Sequence, residues 1–203
     1  MLYAIIITLS LCSIYSHAAV DFDVSMHTKE FGHILEGYES AQRALEALKA
    51  IYKHNNLDII KAGQQLKIPK IIHQIWLGEK MPKEYRPFRE SWIEHHPDWI
   101  FIFWTDNPIN YKQGDVLIET FDQLEYYIQS ESKQSQYVVV DIKQLAFDNR
   151  RFYDRARNYG EKSDILKWEI VYRFGGLYVD VDFECLKPLD QLHYMYDFYT
   201  GIQ

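Results

Sequence analysis

The central part of the chain alternates between short apolar runs and amphipathic segments. Ile71 to Leu77, Trp99 to Trp104 and Tyr137 to Ile142 are apolar runs with the length of buried strands. Between them, Glu84 to His95 and Lys143 to Arg157 have the spacing of helices. Strands that alternate with helices predict an α/β domain, in which helices flank a parallel, doubly wound sheet.

Two further stretches have weaker patterns. Residues 28–66 predict two helices, and the better one carries a stripe of apolar residues at helical spacing: Ala41, Ala44, Leu45, Leu48, Ile51 and Tyr52. We therefore expect a helical region over 20–66, packed as a scaffold on a domain over 67–203. Residues 111–136 are polar and rich in tyrosine, which predicts a helix and a loop.

The segment 162–184 contains the strongest combination of signals. Ser163 has the side chain of a helix N-cap, and Asp164 would be the first residue of that helix. Ile165, Trp168, Val171 and Tyr172 follow at spacings of three and four and predict one apolar face. Gly175 and Gly176 end the helix, because glycine adopts the left-handed conformation of a helix C-terminus without strain.

A strand is expected directly after the two glycines, from Leu177 to Phe183. Side chains alternate along a strand, so Asp180 and Asp182 would share one face, with α-carbons about 6 to 7 Å apart. Two carboxylates at this spacing suit a hard divalent cation such as Mn²⁺ or Mg²⁺, which also takes oxygens from substrate phosphates. A cation so held stabilises a diphosphate as a leaving group, which is the chemistry of glycosyl transfer.

An Asp-x-Asp triplet also occurs by chance and in unrelated kinds of site. The chain holds a second such triplet, Asp21 and Asp23, without a strand or turn around it. A calcium EF-hand loop that began at Asp180 would need glycine and glutamate where Cys185 and Gln191 stand, so it is excluded. An aspartyl phosphohydrolase with Asp180 as nucleophile is disfavoured by Glu184 and stays open.

Two separated motifs resemble glycosyltransferase family 32. The first runs from Ile68 to Gly78, and the second consists of Ser163, Asp164, Lys167, Tyr172, Gly175, Gly176, Tyr178, Asp180 and Asp182. The family includes initiating α-1,6-mannosyltransferases, sphingolipid mannosyltransferases and, more distantly, the glucosylating clostridial toxins. The resemblance covers about Ile68 to Pro188.

This resemblance implies a GT-A-like nucleotide-sugar-binding sheet and a metal-dependent hexosyltransferase. The donor would be a GDP- or UDP-sugar of the mannose, glucose or galactose type, and the acceptor a glycan, a lipid or a protein. Transfer would retain the anomeric configuration through front-face attack, without an enzymic nucleophile. Asp182 would bind Mn²⁺ or Mg²⁺ directly, while Asp180 would bind it through water or hold sugar and ribose hydroxyls.

The resemblance also implies a donor site. Asp164 would bind sugar hydroxyls, and Lys167 stands where the family usually has arginine, so it keeps the charge and loses the planar fork. Asp180, Asp182 and Lys167 are the expected catalytic residues. Trp76 would stack on the nucleobase. The remaining donor-binding residues would be Ser163, Tyr178, Gly175 and Gly176, the two glycines through close approach of the ligand.

Charge argues against a nucleic-acid partner. The net charge is −7, whereas a phosphate footprint needs clustered cations. A short run of arginines is interleaved with acids, which is typical of a solvated helix face, although a grip on an anionic ligand stays open: Arg150, Arg151, Arg155 and Arg157. His73 is interpreted as a core histidine. His95 and His96 are adjacent and have no cysteine cluster, so zinc is not expected.

Both ends of the chain carry expectations. Residues 1–19 predict a signal peptide cut after Ala18 or Ala19, and hence a secreted protein. The alternative is an uncleaved anchor that places the protein on the non-cytoplasmic side of a membrane. The chain stops in an aromatic run near Tyr199, so the domain is expected to be truncated. A sugar-nucleotide-binding remnant without activity is therefore a further alternative.

Overall fold

The computed structural model of the protein describes residues 22–23, 39–54, 63–130 and 136–200. The chain divides into two compact units. One comprises Met1–Gln65 and Tyr194–Gln203, and the other Leu66–His193. The larger unit thus begins close to the expected boundary at residue 67 and ends before the last residues of the chain.

Within its described residues, the larger unit is built on one parallel sheet of five strands. The strands are β1 (Ile71–Trp76), β2 (Ile100–Thr105), β3 (Val116–Ile118), β4 (Tyr137–Asp141) and β5 (Leu177–Tyr178). Their order across the sheet is β3-β4-β2-β1-β5, and every pairing is parallel. All six residues of β2 are buried, as its unbroken apolar run predicts. The predicted α/β class is confirmed.

Helices connect the strands. In chain order they are α1 (Glu39–His54) in the smaller unit, then α2 (Arg86–His95), α3 (Phe121–Gln129), α4 (Arg150–Arg155), α5 (Tyr159–Phe174) and α6 (Asp190–Met195). Two short 3₁₀ turns, Lys83–Tyr85 and Pro108–Asn110, follow the ends of β1 and β2. None of the helices in the described segments combines the length and the apolar character needed to cross a bilayer.

The core of the larger unit lies on one face of the sheet. Leu166, Ile170 and Phe174 of α5 pack there, together with Phe121 and Leu124 of α3. Helix α2 covers the other face. Its Arg89 guanidinium lies 5.8 Å from the ring centre of Phe103 and 5.2 Å from that of Tyr137. Helices on both faces leave the strand ends as the places where the sheet meets solvent.

In the smaller unit, α1 has part of the predicted stripe, since Ala44 and Ile51 are exposed. Leu45, Leu48 and Tyr52 are half-buried at spacings of three and four. The Tyr52 ring lies 5.3 Å from that of Phe22, and Lys49 forms an ion pair with Asp23. Asp23 of the second Asp-x-Asp triplet therefore has a structural partner. The second predicted helix near residue 31 and the leader over 1–19 lie outside the described residues.

Two predictions of the fold were wrong in detail. Strand β3 lies in the stretch where only a helix and a loop were expected, because its three residues are too short to give a period. The helix expected over Lys143–Arg157 is limited to α4. The Arg150 guanidinium donates to the carbonyls of Ile142, Lys143 and Leu145 in the preceding turns, and Arg150 also pairs with Asp154. These contacts give Arg150 a structural role.

Candidate functional site

The strand order places a crevice between β1 and β5. The chain passes from β1 to β2 on one side of the sheet and later crosses from β4 to β5 on the other side. Open α/β sheets bind ligands at such a switch point, outside the carboxyl ends of the strands. Trp76 ends β1, and Asp180 follows β5 by two residues. The two sequence motifs therefore meet at the edge where a ligand is expected.

The acidic residues stand on a turn and not on a strand. Strand β5 ends at Tyr178, the Val179 amide still donates to the His73 carbonyl, and the chain then turns so that the Phe183 amide donates to the Asp180 carbonyl at 3.2 Å. The strand predicted to run to Phe183 was wrong, and the α-carbon spacing of an extended chain does not apply. Asp180 is exposed and Asp182 is also exposed. They share the solvent-facing surface of the turn, which we call the acidic loop (Asp180–Cys185).

Tyr178 ties the acidic loop to α5. Its hydroxyl donates to Asp180 Oδ1 at 2.8 Å. Burial raises the pKa of the Tyr178 hydroxyl, and the carboxylates of Asp180, Asp164 and Asp182 raise it further. The hydroxyl thus stays protonated and remains a donor. The same observation shows that three carboxylates lie close enough to act on one phenol.

Lys167 is the cation of this group. Its ammonium forms an ion pair with Asp164 at 2.7 Å and lies 5.9 Å from the Tyr178 ring centre. Asp164 and Lys167 are three residues apart on α5, which places them as neighbours on one helix face. We call Asp164, Lys167, Tyr178, Asp180 and Asp182 the acidic cluster.

Helix α5 starts earlier than predicted. Asn158 is its N-cap and accepts from the Glu161 amide at 2.8 Å, so Ser163 lies inside the helix and does not cap it. Asp164 accordingly belongs to the second turn. The predicted apolar face was also wrong in part, because Trp168 and Tyr172 are 49% and 78% exposed.

Gly175 and Gly176 serve the turn from α5 to β5. Both have positive φ, 64° and 81°. A β-carbon at Gly175 would lie 2.9 Å from Pro69 Cδ, and one at Gly176 would lie 2.6 Å from the Ile71 carbonyl oxygen. The close approach at these glycines is made by the start of β1, at the amino edge of the sheet. The approach of a donor at Gly175 and Gly176 stays a prediction, and the contacts found there are with Pro69 and Ile71.

The carboxyl edge beside β1 is braced by the loop after β2. Asp106 Oδ1 accepts from the Gly78 amide at 2.7 Å, and the Asn107 side chain donates to the Gly78 carbonyl. Gly78 has φ 83°, and a β-carbon there would lie 2.5 Å from the Tyr159 ring. The loop after β1 is thus held between β2 and the first turn of α5.

Trp76 stands at this edge. Its indole nitrogen donates to the Glu79 carbonyl at 2.8 Å, its ring lies 5.6 Å from that of Tyr85, and it is half-buried. Asp141, which ends β4, contributes another carboxylate to the edge. Burial raises the pKa of the Tyr111 hydroxyl, and the neighbouring carboxylate of Asp141 raises it further. The edge is therefore rich in acids.

His73 is a core residue, as predicted. Trp104 Nε1 donates to its Nδ1 at 3.2 Å, so the proton is on Nε2, which donates to the Gly175 carbonyl at 3.0 Å. Burial lowers the pKa of His73 to about 4. The ring is fully buried and neutral, and it fixes the turn that precedes β5.

The two carboxylates fit a divalent cation that takes its other ligands from a bound substrate and from water. Across the described segments, no group of three or more His, Cys, Asp or Glu side chains is arranged to hold a metal ion. Asp180 and Asp182 offer exposed carboxylate oxygens on one turn, and Asp180 Oδ1 is engaged by Tyr178. Two carboxylates completed by phosphate and water are a common arrangement for Mg²⁺ and Mn²⁺.

The sequence analysis did not identify the side chains that form hydrogen bonds to the backbone of the acidic loop. Gln74 of β1 donates to the Asp180 carbonyl at 3.3 Å, and Trp92 of α2 donates to the Phe183 carbonyl at 2.6 Å. The sequence shows Gln74 as one of two adjacent polar residues in β1, the other being His73. Trp92 gave no signal that separated it from a core residue.

Comparison with known proteins identifies a family and several similar proteins. The family described as "Glycosyltransferase sugar-binding region containing DXD motif" matches residues 82–199. Inositol phosphoceramide mannosyltransferase 3 of Schizosaccharomyces pombe is 27% identical over 71% of this chain and 32% of its own length. Inositol phosphoceramide mannosyltransferase 1 of the same yeast is 30% identical over 66% and 34%. The solved PaToxG glycosyltransferase covers 73% of this chain and 53% of its own, with 17% identity and a TM-score of 0.43. The chain spans about a third of the length of the two curated relatives.

Proposed function

Because the chain belongs to the family of glycosyltransferase sugar-binding regions that contain a DXD motif, we propose that it transfers a hexose from a nucleotide-sugar donor in a metal-dependent reaction. The observation that carries the proposal is the position of Asp180 and Asp182. Both are exposed on one turn at the switch point, and Tyr178 links them to Asp164 and Lys167, because its hydroxyl binds Asp180 and its ring lies beside the Lys167 ammonium. This combines a cation site with groups that can bind hydroxyls.

The charged residues of the acidic cluster and Trp76 have roles in the proposed reaction. Asp182 and Asp180 would hold Mn²⁺ or Mg²⁺, and a bound cation would stabilise the diphosphate as a leaving group. Asp164 accepts hydrogen bonds from sugar hydroxyls, and Lys167 orients Asp164 through their ion pair. Trp76 stacks on the nucleobase at the same edge of the sheet. The acceptor attacks on the face from which the diphosphate departs, so the anomeric configuration is retained.

Metal dependence follows from the charge at this edge. A nucleotide diphosphate is an anion, and the carboxylates of Asp164, Asp180 and Asp182 would repel it. Lys167 alone does not neutralise them. A divalent cation would offset the remaining negative charge of these groups and would let the donor approach.

The relatives suggest the sugar and the acceptor class. Both yeast relatives carry names of mannosyltransferases that act on inositol phosphoceramide. We accordingly infer a GDP-mannose donor ahead of UDP-glucose or UDP-galactose. Among glycan, lipid and protein acceptors, a lipid headgroup is the first to test.

The proposal is tested by thermal shift with GDP-mannose, UDP-glucose, UDP-galactose and UDP-N-acetylglucosamine, each with and without Mn²⁺. A donor at 100 times its Kd stabilises the native state by about 2.7 kcal/mol, so the expected result is a rise in Tm only when Mn²⁺ and the correct donor are both present. Hydrolysis of that donor, followed as release of the nucleoside diphosphate, gives the catalytic readout.

Asp182→Asn is the informative variant, since it removes one charge without changing shape. Its matched control is Asp98→Asn, because Asp98 is also exposed and lies before β2, at the opposite edge of the sheet. Asp182→Asn should lose the donor-dependent shift and the hydrolysis, while Asp98→Asn keeps both. A donor shift that persists in Asp182→Asn, or no shift with any donor, would contradict the proposal.

We also propose that residues 1–19 direct export and are removed. The expected outcome is a secreted protein whose first residue, by N-terminal sequencing, is Ala19 or Val20. A membrane-bound product that still starts at Met1 would instead support the anchor.

A further inference from the structure

Three side chains from β1 and α2 form hydrogen bonds to the backbone of the acidic loop. The Gln74 amide of β1 donates to the Asp180 carbonyl, the Trp92 indole of α2 donates to the Phe183 carbonyl, and Ser91 Oγ of α2 accepts from the Cys185 amide at 2.8 Å. The contacts therefore come at the first residue, the middle and the end of the loop. Only the first of them acts on a residue of the acidic cluster.

Gln74 is an unusual residue for its position. It is completely buried in the interior of β1, next to the buried His73 and on the same face as Trp76. Its Nε2 makes the bond to Asp180, whereas its Oε1 is buried and has no hydrogen-bond partner within the described part of the chain. A buried acceptor that is left unpaired is unfavourable for folding.

Stability alone does not account for this amide. An apolar residue of similar size would fill the same space and would bury no unpaired oxygen. Among the described residues, the hydrogen bond that the Gln74 side chain makes is the one to the Asp180 carbonyl. The hydrogen bond of the Gln74 amide thus stabilises the acidic loop.

We propose that Gln74 is a positioning residue for the divalent cation and the diphosphate, acting through the main chain of Asp180. This inference rests on the proposed function. The bond from Gln74 fixes the carbonyl of Asp180, and the bond from Tyr178 fixes Oδ1 of the same residue. Together they define both the place and the rotamer of the carboxylate. Gln74 also joins the Ile68–Gly78 motif to the Asp180–Asp182 motif across 106 residues.

The test separates positioning from stability. Gln74→Leu removes the amide and fills the space, and Gln74→Met is a second variant in case leucine fits poorly. Trp92→Phe is the matched control, because it removes the bond to Phe183 in the middle of the loop and retains an aromatic ring. For each full-length variant, Tm is measured without ligand, and Mn²⁺ is titrated alone and with GDP, with free Mn²⁺ followed by electron paramagnetic resonance.

Opposite effects are expected from the two kinds of variant. Gln74→Leu and Gln74→Met should keep or raise Tm while the Kd for Mn²⁺ in the presence of GDP rises roughly tenfold, the effect of one hydrogen bond. Trp92→Phe should lower Tm and change the Kd by less than about threefold.

The outcomes also separate this inference from the proposed function. Wild type that does not bind Mn²⁺, or an Asp182→Asn variant that binds it equally well, contradicts the proposed function. A different outcome would overturn only the role of Gln74. In it, wild type binds Mn²⁺, Asp182→Asn does not, and the Gln74 variants bind with a Kd within about twofold of wild type. Loss of Tm in the Gln74 variants as large as in Trp92→Phe would show that Gln74 is structural, and would overturn the inference as well.

Discussion

At the scale of single residues, the hydroxyl of Tyr178 has a defined task. Burial and the surrounding carboxylates raise its pKa and keep it protonated, and it donates to Asp180 Oδ1. A hydrogen bond to a charged acceptor contributes about 1.5 to 3 kcal/mol, but exposure of Asp180 places this one at the lower end. The bond restricts the Asp180 carboxylate to one orientation before any cation arrives.

Tyr178→Phe should consequently weaken metal binding more than folding. The ring still packs, and the freed carboxylate gains rotational freedom that it must lose when it binds Mn²⁺. We expect a free energy of unfolding lower by about 1.5 kcal/mol and a Kd for Mn²⁺ raised roughly three- to tenfold. Urea denaturation and a Mn²⁺ titration measure the two quantities. Unchanged Mn²⁺ affinity would mean that Tyr178 does not orient Asp180.

At the scale of elements, the turn from α5 to β5 decides where the acidic loop stands. Gly176 has φ 81°, and its α-carbon faces the Ile71 carbonyl so closely that a β-carbon would lie 2.6 Å from the oxygen. Gly114 has a similar φ of 94°, yet a β-carbon there would meet no atom within 4 Å. Substitution of Gly114 therefore tests the cost of the positive φ alone, and substitution of Gly176 tests that cost together with the cost of the contact.

Gly176→Ala should therefore be far more harmful than Gly114→Ala. A non-glycine residue at positive φ costs of order 1 kcal/mol, and this is all that we expect at Gly114. At Gly176 the alanine must also push β5 away from β1, so the loss should exceed about 3 kcal/mol and should displace Asp180. Urea denaturation of both variants gives the comparison. Equal losses would show that the contact with Ile71 does not constrain the turn.

Sequence patterns located the elements better than their ends. The apolar runs predicted β1, β2 and β4 because these strands are buried on both faces. The start of α5 was misplaced because Asn158 and Ser163 are both good N-caps, and the choice depends on the Glu161 amide, which donates to Asn158. The exposed faces of Trp168 and Tyr172 could not be predicted, since large aromatic residues at helical spacing usually mark a buried face.

At the scale of the whole molecule, the switch point explains why two distant motifs carry the site. The order β3-β4-β2-β1-β5 places β5 beside β1, and their pairing sets Tyr178 opposite His73 in register. The chain beyond each strand then enters the same crevice. Sequence indicated the two motifs as partners by resemblance. It did not indicate Gln74 as the link, because hydrogen bonds between a strand side chain and a loop carbonyl leave no periodic signal.

The amino edge of the sheet is closed by neutral histidines. His193 Nδ1 donates to the Ile68 carbonyl at 3.0 Å, and the Leu189 amide donates to His96 Nε2 at 2.9 Å. The Trp99 ring lies between the two imidazoles, 4.3 Å from His96 and 4.2 Å from His193. Burial lowers the pKa of His96, and it lowers the pKa of His193 to about 4, as it does for His73.

Stability should therefore fall on mild acidification. A histidine whose pKa is about 6.5 in the unfolded chain and about 4 in the native state binds its proton first in the unfolded chain, so its contribution is complete above pH 6.5 and is lost as the pH falls towards 4. At about pH 5 the loss is about 2 kcal/mol for each of His73 and His193, and most carboxylates are still ionised at that pH. Urea denaturation at about pH 7.5 and about pH 5 should thus differ by several kcal/mol. His193→Asn, whose amide can also donate to Ile68, should reduce that difference by the share of one histidine. The same difference in His193→Asn as in wild type would show that His193 does not carry the pH dependence.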